Sequence, residues 1–373
     1  MENIIRIIAL ISASSYFVMI SVITLGWFLL RKKKLPSEVL PNNISIIIPV
    51  KNEEANILNC LNSINKQNFQ KTHYEVILVN DHSSDNSMQL IQNYLKENKF
   101  DNIHFINQNK ENHGKKEAIK KGIENAKGEL IITSDADCSM GSNWLKTISS
   151  YFSKNDVSMV LGPVCIIPGK NIFSKIQSLE FMSLMGITGG AASVKTPILA
   201  NGANLAFRKT LFSEAGDYTI GKELKSGDDI FFLQQVKKMK DKKIVFAKNF
   251  EATVFTYPQK SLKSFFNQRL RWAGKTGHYK DYLAIAAAIN VFLINFLIVA
   301  CIILSVFQQS YFVFPFLFLA IVKFIIDLPI ISGVSYFFKK SHLLYYYPIV
   351  FILYPWYVCI TAIGSLFSKT NWK

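Results

Sequence analysis

The sequence predicts an α/β protein in which a mostly parallel sheet is covered by helices and joined to one N-terminal and about three C-terminal transmembrane helices. Three observations support this. Between residues 42 and 258, short apolar runs alternate with polar helical segments, which is typical of a parallel sheet. Residues 7–30 carry no charge. Residues 283–367 contain further apolar runs, each long enough to cross a bilayer as a helix.

The first apolar segment, residues 7–30, predicts a retained membrane anchor. A basic run from Arg31 to Lys34 follows it, whereas a secretory signal peptide carries its basic residues before a shorter apolar core. Cytoplasmic flanks of membrane spans are enriched in lysine and arginine. We therefore expect an integral protein of the plasma or inner membrane with a cytoplasmic domain over residues 42–258.

The alternation of apolar and polar segments predicts the order of strands and helices in this domain. Four runs rich in β-branched residues predict strands, namely Ser45–Pro49, Glu75–Asn80, Ile103–Asn107 and Glu129–Ser134. Polar amphipathic segments between them predict helices near 54–67, 86–98 and 115–126. The doubly wound core of this domain is expected to end at the turn after the fourth strand.

Two later segments are predicted to be helices rich in apolar and aromatic residues. Residues 171–187 fit an ordinary amphipathic helix facing a core. Residues 259–282 lead directly into an apolar run, which favours a helix lying at the bilayer surface. The C-terminal region, 283–367, is then expected to hold about three spans, near 283–307, 311–335 and 343–367.

The net charge of +16 raises the question of nucleic acid. The basic residues are spread along the chain without a motif that reads RNA or DNA, so we expect no nucleic-acid partner. An anionic membrane surface and a phosphate-bearing substrate account for the charge instead. The five cysteines are widely spaced and predict neither a zinc site nor a disulfide framework.

Asp135 and Asp137 follow the fourth predicted strand in the segment GELIITSDADC. Ligands of open α/β sheets bind beyond the carboxyl ends of the strands. Two carboxylates separated by one small residue at such a place suit a hard divalent cation that also contacts substrate phosphates. The alternative is a polar turn without a ligand.

The motifs around this turn resemble those of the family 2 glycosyltransferases. These are inverting nucleotide-sugar enzymes with a GT-A fold, and the likeness is to their membrane-integrated branch of hyaluronan, chitin and cellulose synthases and ceramide glucosyltransferases. The resemblance covers about residues 44–272, with the motifs in family order. It implies an Mg²⁺ or Mn²⁺ cofactor held by Asp137 and Asp135, and a nucleotide-sugar donor, expected to be a UDP-sugar.

The resemblance also implies roles at the donor site. SIIIPVKNEEANI resembles the family's first strand and loop, in which Pro49, Lys51 and Glu53 border the nucleotide. In VILVNDHSSDNS, Asp81 takes the position that holds the uridine base, and a carboxylate there can accept from uracil N–H. A helix-capping role is the alternative for Asp81. Lys115, in the segment NHGKKEA, would lie near the phosphates.

SGDDIFFL, residues 226–233, resembles the motif that carries the general base. Aligned on Gly227, Asp229 takes the place of the catalytic carboxylate and Asp228 that of its acidic neighbour. A carboxylate within hydrogen-bond reach can remove the proton from an attacking hydroxyl. The family's acidic residue two positions after the base is Phe231 here.

QRLRW, residues 268–272, matches the family's Q-x-x-R-W motif. The resemblance implies that Gln268 and Arg271 contact the donor, with Arg271 pairing to diphosphate oxygens, and that Trp272 stacks on the acceptor side. ILANGANLAFRK resembles the family's acceptor loop. The acceptor-side residues it implies are Asn201, Gly202 and Asn204.

The sequence thus predicts an inverting transferase that moves a sugar to a membrane lipid or lipid-linked acceptor. A processive polysaccharide synthase is the close alternative, because the Q-x-x-R-W motif occurs in both. A membrane protein that binds a nucleotide sugar without transferring it is a second alternative. Lys323 and Asp327, one helical turn apart in the third span, are expected to pair, the alternative being contact with a polar path.

Overall fold

The structure is a computed structural model that describes residues 2–33, 43–98, 101–109, 111, 113–153, 156–216, 228–308 and 310–367. The helices are α1 (Glu2–Leu29), α2 (Ile57–Asn65), α3 (Ser87–Asn98), α4 (Lys115–Asn125), α5 (Trp144–Ser150), α6 (Ile172–Ser193), α7 (Lys209–Glu214), α8 (Asp228–Lys238), α9 (Leu262–Ala273), α10 (Tyr282–Gln308), α11 (Val313–Phe337) and α12 (Tyr347–Phe367). The strands are β1 (Ile44–Val50), β2 (Tyr74–Asn80), β3 (Ile103–Asn107), β4 (Leu130–Thr133), β5 (Ser139–Met140), β6 (Val157–Leu161), β7 (Val164–Ile166), β8 (Leu205–Arg208), β9 (Lys243–Phe246) and β10 (Val254–Thr256). Lys34, residue 42 and Gly227, on which predictions rested, lie outside the described residues.

The chain divides into two compact units. The sheet unit contains Arg31–Ile167 and Leu199–Tyr257, and the membrane unit contains Met1–Leu30, Pro168–Ile198 and Pro258–Thr370. The sheet unit begins at Arg31 and ends at Tyr257, and one segment within the predicted continuous domain over 42–258 is not part of it. Residues 168–198, which contain α6, belong to the membrane unit.

The main sheet of the sheet unit has seven strands in the order β3-β2-β1-β4-β8-β6-β9. The four predicted strands form its first half, all parallel. β1 is buried at every position, as expected for a strand with helices on both faces. The consecutive parallel strands end at β4, where the doubly wound core was predicted to end. The sheet continues beyond it, because β8 pairs antiparallel with β4 and β6 continues the sheet to β9.

A three-stranded sheet completes the sheet unit. β10 pairs antiparallel with β5 and parallel with β7. β5 follows directly on Asp137 and Cys138, so this small sheet fixes the chain just after the two candidate metal-binding carboxylates.

Among the residues that the structure describes, the membrane unit holds four helices that are long and apolar enough to cross a membrane. They cover Ile5–Leu29, Tyr282–Phe307, Val313–Phe337 and Ser341–Phe367, which confirms the prediction of one N-terminal and three C-terminal spans. α6 packs against α1 and α11. A Cβ on Gly190 would lie 2.2 Å from the carbonyl oxygen of Ile23, so the backbones of α1 and α6 are in direct contact, a packing mode common between membrane helices.

Lys323 and Asp327 form the predicted ion pair within α11. The hydroxyl of Tyr16, on α1, donates to Asp327 Oδ1 at 2.7 Å, and Lys323 lies 5.0 Å from the centre of the Tyr354 ring. Buried charges in an apolar bundle require such partners. This cluster therefore joins three helices of the membrane unit.

Candidate active site

The antiparallel pairing of β4 and β8 brings two distant segments together. Because Thr133 lies opposite Leu205, the loop before β8 reaches the carboxyl end of β4. Thr133 Oγ1 donates to the carbonyl of Gly202 at 2.7 Å, and Ser134 Oγ donates to that of Ala203 at 2.9 Å. Two hydroxyls of the strand end thus hold the predicted acceptor loop beside the D-A-D turn.

Three predicted site residues converge beside Gly202. Lys115, the first residue of α4, forms an ion pair with Asp135. The position that a Cβ on Gly202 would take is 3.7 Å from Lys115 Nζ and 3.7 Å from Asp229 Oδ2. Lys115, Asp135 and Asp229, which come from three different motifs, therefore lie around the predicted acceptor loop, which belongs to a fourth motif.

Asp229 lies in the first turn of α8. The N–H of Gly202 donates to its Oδ2 at 2.9 Å, and the N–H of Ile230 donates to its Oδ1 at 2.8 Å. These bonds fix the plane of the carboxylate while its side chain stays partly exposed. A general base needs this combination of fixed geometry and access. The side chain of Asp228 lies outside the described residues.

The donor set at the D-A-D turn suits a hard cation. Asp135 and Asp137 are both partly exposed, whereas the neighbouring thiols of Cys60 and Cys138 are buried. Burial first, then the charges of Asp137 and Asp135, raise the pKa of Cys60 and of Cys138. The exposed donor atoms of the turn are thus carboxylate oxygens, the ligands that Mg²⁺ and Mn²⁺ prefer.

Asp81 is fully buried at the end of β2. Lys51 Nζ lies 3.1 Å from its Oδ2, and the N–H of Gly114 lies 3.1 Å from each of its oxygens. These partners fix the orientation of the carboxylate. Pro49 lies within β1 beside Val79. Glu53, also buried, accepts from Asn56 Nδ2 at 2.9 Å.

His82 and His113 were not predicted as site residues. Their ring centroids are 4.3 Å apart, and His82 Nδ1 lies 3.3 Å from Asp81 Oδ1. Together with Asp81 they bring one carboxylate and two imidazole ligand atoms within 4.8 Å of one another. The available signal was their position in the sequence, since His82 follows Asp81 and His113 precedes Gly114. Because Asp81 already pairs with Lys51, we assign no metal to this cluster.

Asn204, which the sequence predicts to contact an acceptor, lies inside the sheet unit. Its side chain is 1% exposed. Its Nδ2 donates to the carbonyls of Pro163 and Ala252, each at 2.8 Å, and its Oδ1 accepts from Trp144 Nε1 at 3.1 Å. Asn204 therefore joins the base of the loop to the strands around it.

Replacing Asn204 with alanine is expected to destabilise the sheet unit by about 2–4 kcal/mol, because three buried polar groups lose their partner. Thermal unfolding of the purified protein measures the change. Asn201→Ala is the matched control. That side chain is partly exposed and only caps a short helical turn by accepting from the N–H of Ala203, so its loss should cost about 1 kcal/mol. Equal midpoints for the two variants would contradict the assignment.

The Q-x-x-R-W residues lie on α9, in the membrane unit. Gln268 Oε1 accepts from Arg269 Nη1 at 3.1 Å. The Trp272 ring lies 6.1 Å from that of Phe181 on α6. Arg271 is partly exposed in the last turn of the helix. The predicted surface helix over 259–282 is shorter in the structure, since α9 ends at Ala273 and a turn of 3-10 helix follows at Thr276–His278.

Residues 45–214 match glycosyl transferase family 2, and residues 130–367 match glycosyl transferase family group 2. Glycosyltransferase AglE of Haloferax volcanii is 28% identical over 194 residues, which cover 52% of this chain and 60% of that protein. Poly(ribitol-phosphate) beta-glucosyltransferase of Bacillus spizizenii is 34% identical over 129 residues, which cover 35% of this chain and 20% of that protein. The chain thus matches 60% or less of the length of these two relatives.

A solved structure shares the fold over nearly the whole chain. It is the mannosyltransferase PcManGT from Pyrobaculum calidifontis in complex with GDP-Man and Mn²⁺, with a TM-score of 0.67 at 14% identity. The likeness covers 98% of this chain and 99% of that one. The predicted GT-A fold with additional membrane helices is confirmed.

Proposed function

The chain belongs to the family 2 glycosyltransferases, and on that premise we propose that it transfers a sugar, with inversion, from a UDP-sugar to a membrane lipid or a lipid-linked acceptor. The observation that carries the proposal is the convergence of Lys115, Asp135 and Asp229 around Gly202. Such a reaction requires a cation beside the diphosphate, a carboxylate that binds the metal and a carboxylate that takes the acceptor proton, and Lys115, Asp135 and Asp229 supply these groups.

In the proposed reaction, the acceptor hydroxyl attacks the anomeric carbon from the face opposite the leaving nucleotide. Its oxygen forms the new bond as the bond from that carbon to the phosphate oxygen breaks, and Asp229 takes the hydroxyl proton. The N–H groups of Gly202 and Ile230 hold Asp229 in one orientation, so little reorganisation is needed during proton transfer.

At the donor end, Asp81 accepts from the base, with Lys51 and Gly114 keeping the carboxylate in place. Lys115 exchanges its ion pair with Asp135 for the diphosphate. Asp135 and Asp137 would hold Mg²⁺ or Mn²⁺, and a bound ion of this kind neutralises the charge that develops on the leaving diphosphate. The neighbour of the same fold was solved with GDP-Man and Mn²⁺, which supports a divalent ion and a nucleotide-sugar donor.

The acceptor proposal rests on the membrane unit. Three C-terminal spans offer little room to conduct a secreted polymer, and a lipid acceptor reaches the enzyme within the bilayer. The alternative is polymer synthesis or modification, favoured by the name of the Bacillus relative, a poly(ribitol-phosphate) glucosyltransferase. The proposed cytoplasmic side of the sheet unit follows from the basic residues after the first span.

The test incubates the purified protein with labelled UDP- and GDP-sugars, Mn²⁺ or Mg²⁺, and native lipids. We expect one UDP-sugar to label a product that is extracted into organic solvent. A labelled product of high mass that stays in water would establish the polymer alternative. Binding of a nucleotide sugar without release of nucleotide would show that the protein binds donor but does not transfer it.

The Q-x-x-R-W motif provides a separate prediction. Arg271→Lys keeps the charge but loses the planar fork that matches diphosphate oxygens, so transfer should fall at least about tenfold, the cost of one charge-assisted hydrogen bond. Trp272→Ala should lower transfer more than UDP affinity, because stacking on a sugar belongs to the acceptor side. Titration calorimetry with UDP and transfer assays measure both. If Trp272→Ala transferred sugar at the wild-type rate, the role of α9 would be limited to anchoring at the membrane surface.

A further inference from the structure

Arg269 is a buried cation inside the Q-x-x-R-W motif, at a position that the motif leaves variable. It follows Gln268 and lies one helical turn before Trp272 on α9. Its side chain is 2% exposed, and its guanidinium lies 4.8 Å from the centre of the Phe265 ring. A guanidinium so far from water must be paired to be tolerated.

Its partner is Glu180, on α6. Arg269 Nη2 lies 2.5 Å from Glu180 Oε2, and both side chains are almost fully buried, at 2% and 7% exposure. The pair therefore fixes α9 to α6 through a bond that water does not weaken, since charge-assisted hydrogen bonds are strongest where solvent is excluded.

The other edge and the face of the same guanidinium contact two residues of the motif. Arg269 Nη1 donates to Gln268 Oε1 at 3.1 Å. The guanidinium carbon lies 4.2 Å from the centre of the Trp272 ring, within the range of a cation–π interaction. Trp272 packs in turn on Phe181, the residue after Glu180. One ion pair is thus connected to the side chains of both Gln268 and Trp272.

We propose that Arg269, held by Glu180, is a positioning residue that sets the orientation of Gln268 and Trp272. This rests on the proposed function and on the roles that the family resemblance implies, with Gln268 contacting the donor and Trp272 the acceptor. Arg269 itself touches neither. A planar guanidinium can donate hydrogen bonds from two of its edges while its face stacks on an aromatic ring. No other side chain combines these three contacts.

A merely structural pair makes a different prediction when both charges are removed. Breaking a buried ion pair by one substitution leaves an unpaired charge and is strongly destabilising, whereas replacing both partners with apolar residues of similar volume is often neutral. A structural pair would therefore recover stability and transfer together in the double variant. A positioning pair recovers stability and not transfer.

The experiment compares the full-length protein with the double variant Glu180→Met/Arg269→Met. Lys263→Met is the matched control, because it removes an exposed cation from the same helix. The readouts are the thermal midpoint, UDP affinity, transfer rate and the ¹⁹F spectrum of protein labelled with fluorotryptophan. The chain has five tryptophans, and the Trp272 resonance is assigned from Trp272→Phe.

We expect the double variant to unfold near the wild-type midpoint, to bind UDP within a few-fold of wild type, and to transfer sugar about 10- to 100-fold more slowly, the effect of a small misplacement of contact groups. Its Trp272 resonance should shift, and that of Lys263→Met should not. If the double variant does not fold, Arg269→Lys replaces it, because this variant keeps the ion pair to Glu180. Its ¹⁹F spectrum and its transfer rate are then measured in the same way.

Wild-type transfer by the folded variant, or an unmoved Trp272 resonance, would overturn the proposal. The ¹⁹F readout does not depend on turnover. If the wild-type protein transferred no sugar, the proposed function would fail while the spectrum still decided whether Arg269 orients Trp272.

Discussion

Asp229→Asn is expected to lower sugar transfer by about 10²–10⁴-fold, the usual contribution of a positioned general base. Asparagine keeps the size of the side chain, and one amide oxygen can still accept from Gly202 or Ile230, the two donors that hold the carboxylate. UDP-sugar affinity should therefore stay within a few-fold of wild type. Rapid-quench measurement of single turnovers separates the chemical step from binding.

Asp228→Asn is the control for this prediction, since Asp228 is the preceding residue of the same helix. It should be the milder change. If Asp228→Asn were the more damaging, the alignment of the motif on Gly227 would be shifted by one residue. If Asp229→Asn abolished UDP binding instead, Asp229 would belong to the donor site.

Asp137→Ala is expected to reduce metal-dependent nucleotide release by at least about 100-fold, since a Lewis-acidic ion contributes several kcal/mol to charge stabilisation. Folding should be little affected, because Asp137 is partly exposed at the D-A-D turn. The measurement is UDP release across a Mn²⁺ or Mg²⁺ titration. The wild-type protein should lose the same activity in chelator.

Asp156→Ala is the matched control for the loss of a carboxylate. Asp156 is exposed and pairs with Lys243 on the surface at 2.7 Å, a kind of pair that contributes little to stability. Its removal should leave the metal titration unchanged. Full wild-type activity in chelator, or near-normal turnover by Asp137→Ala, would contradict the metal assignment.

Several features were predictable because they depend on local patterns. The buried runs of β1 and β2 and the helices between them follow from hydrophobic periodicity over a few residues. The spans follow from long uncharged segments. Asp135 and Asp229 could be selected because the type and spacing of residues within short motifs carry their chemistry.

Other features required the folded chain. Asn204 resembled an acceptor contact in sequence, but the pairing of β8 with β4 buries it against Trp144, Pro163 and Ala252. Arg269 occupies a variable position of its motif, and its role rests on Glu180, which precedes it by 89 residues. Neither partner set can be identified from the local sequence.

The sequence by itself determined the α/β class, the four spans and the chemical types of the candidate site residues. Only the tertiary structure decided that the sheet continues through β8, β6 and β9, that α6 belongs to the membrane unit, and which polar side chains are available at the site. The physical reason is that periodicity reports what each segment must bury. The distant segment that covers it is the one whose pairing contributes more free energy than closing the long loop costs in entropy. The local sequence never contains both partners of such a pairing.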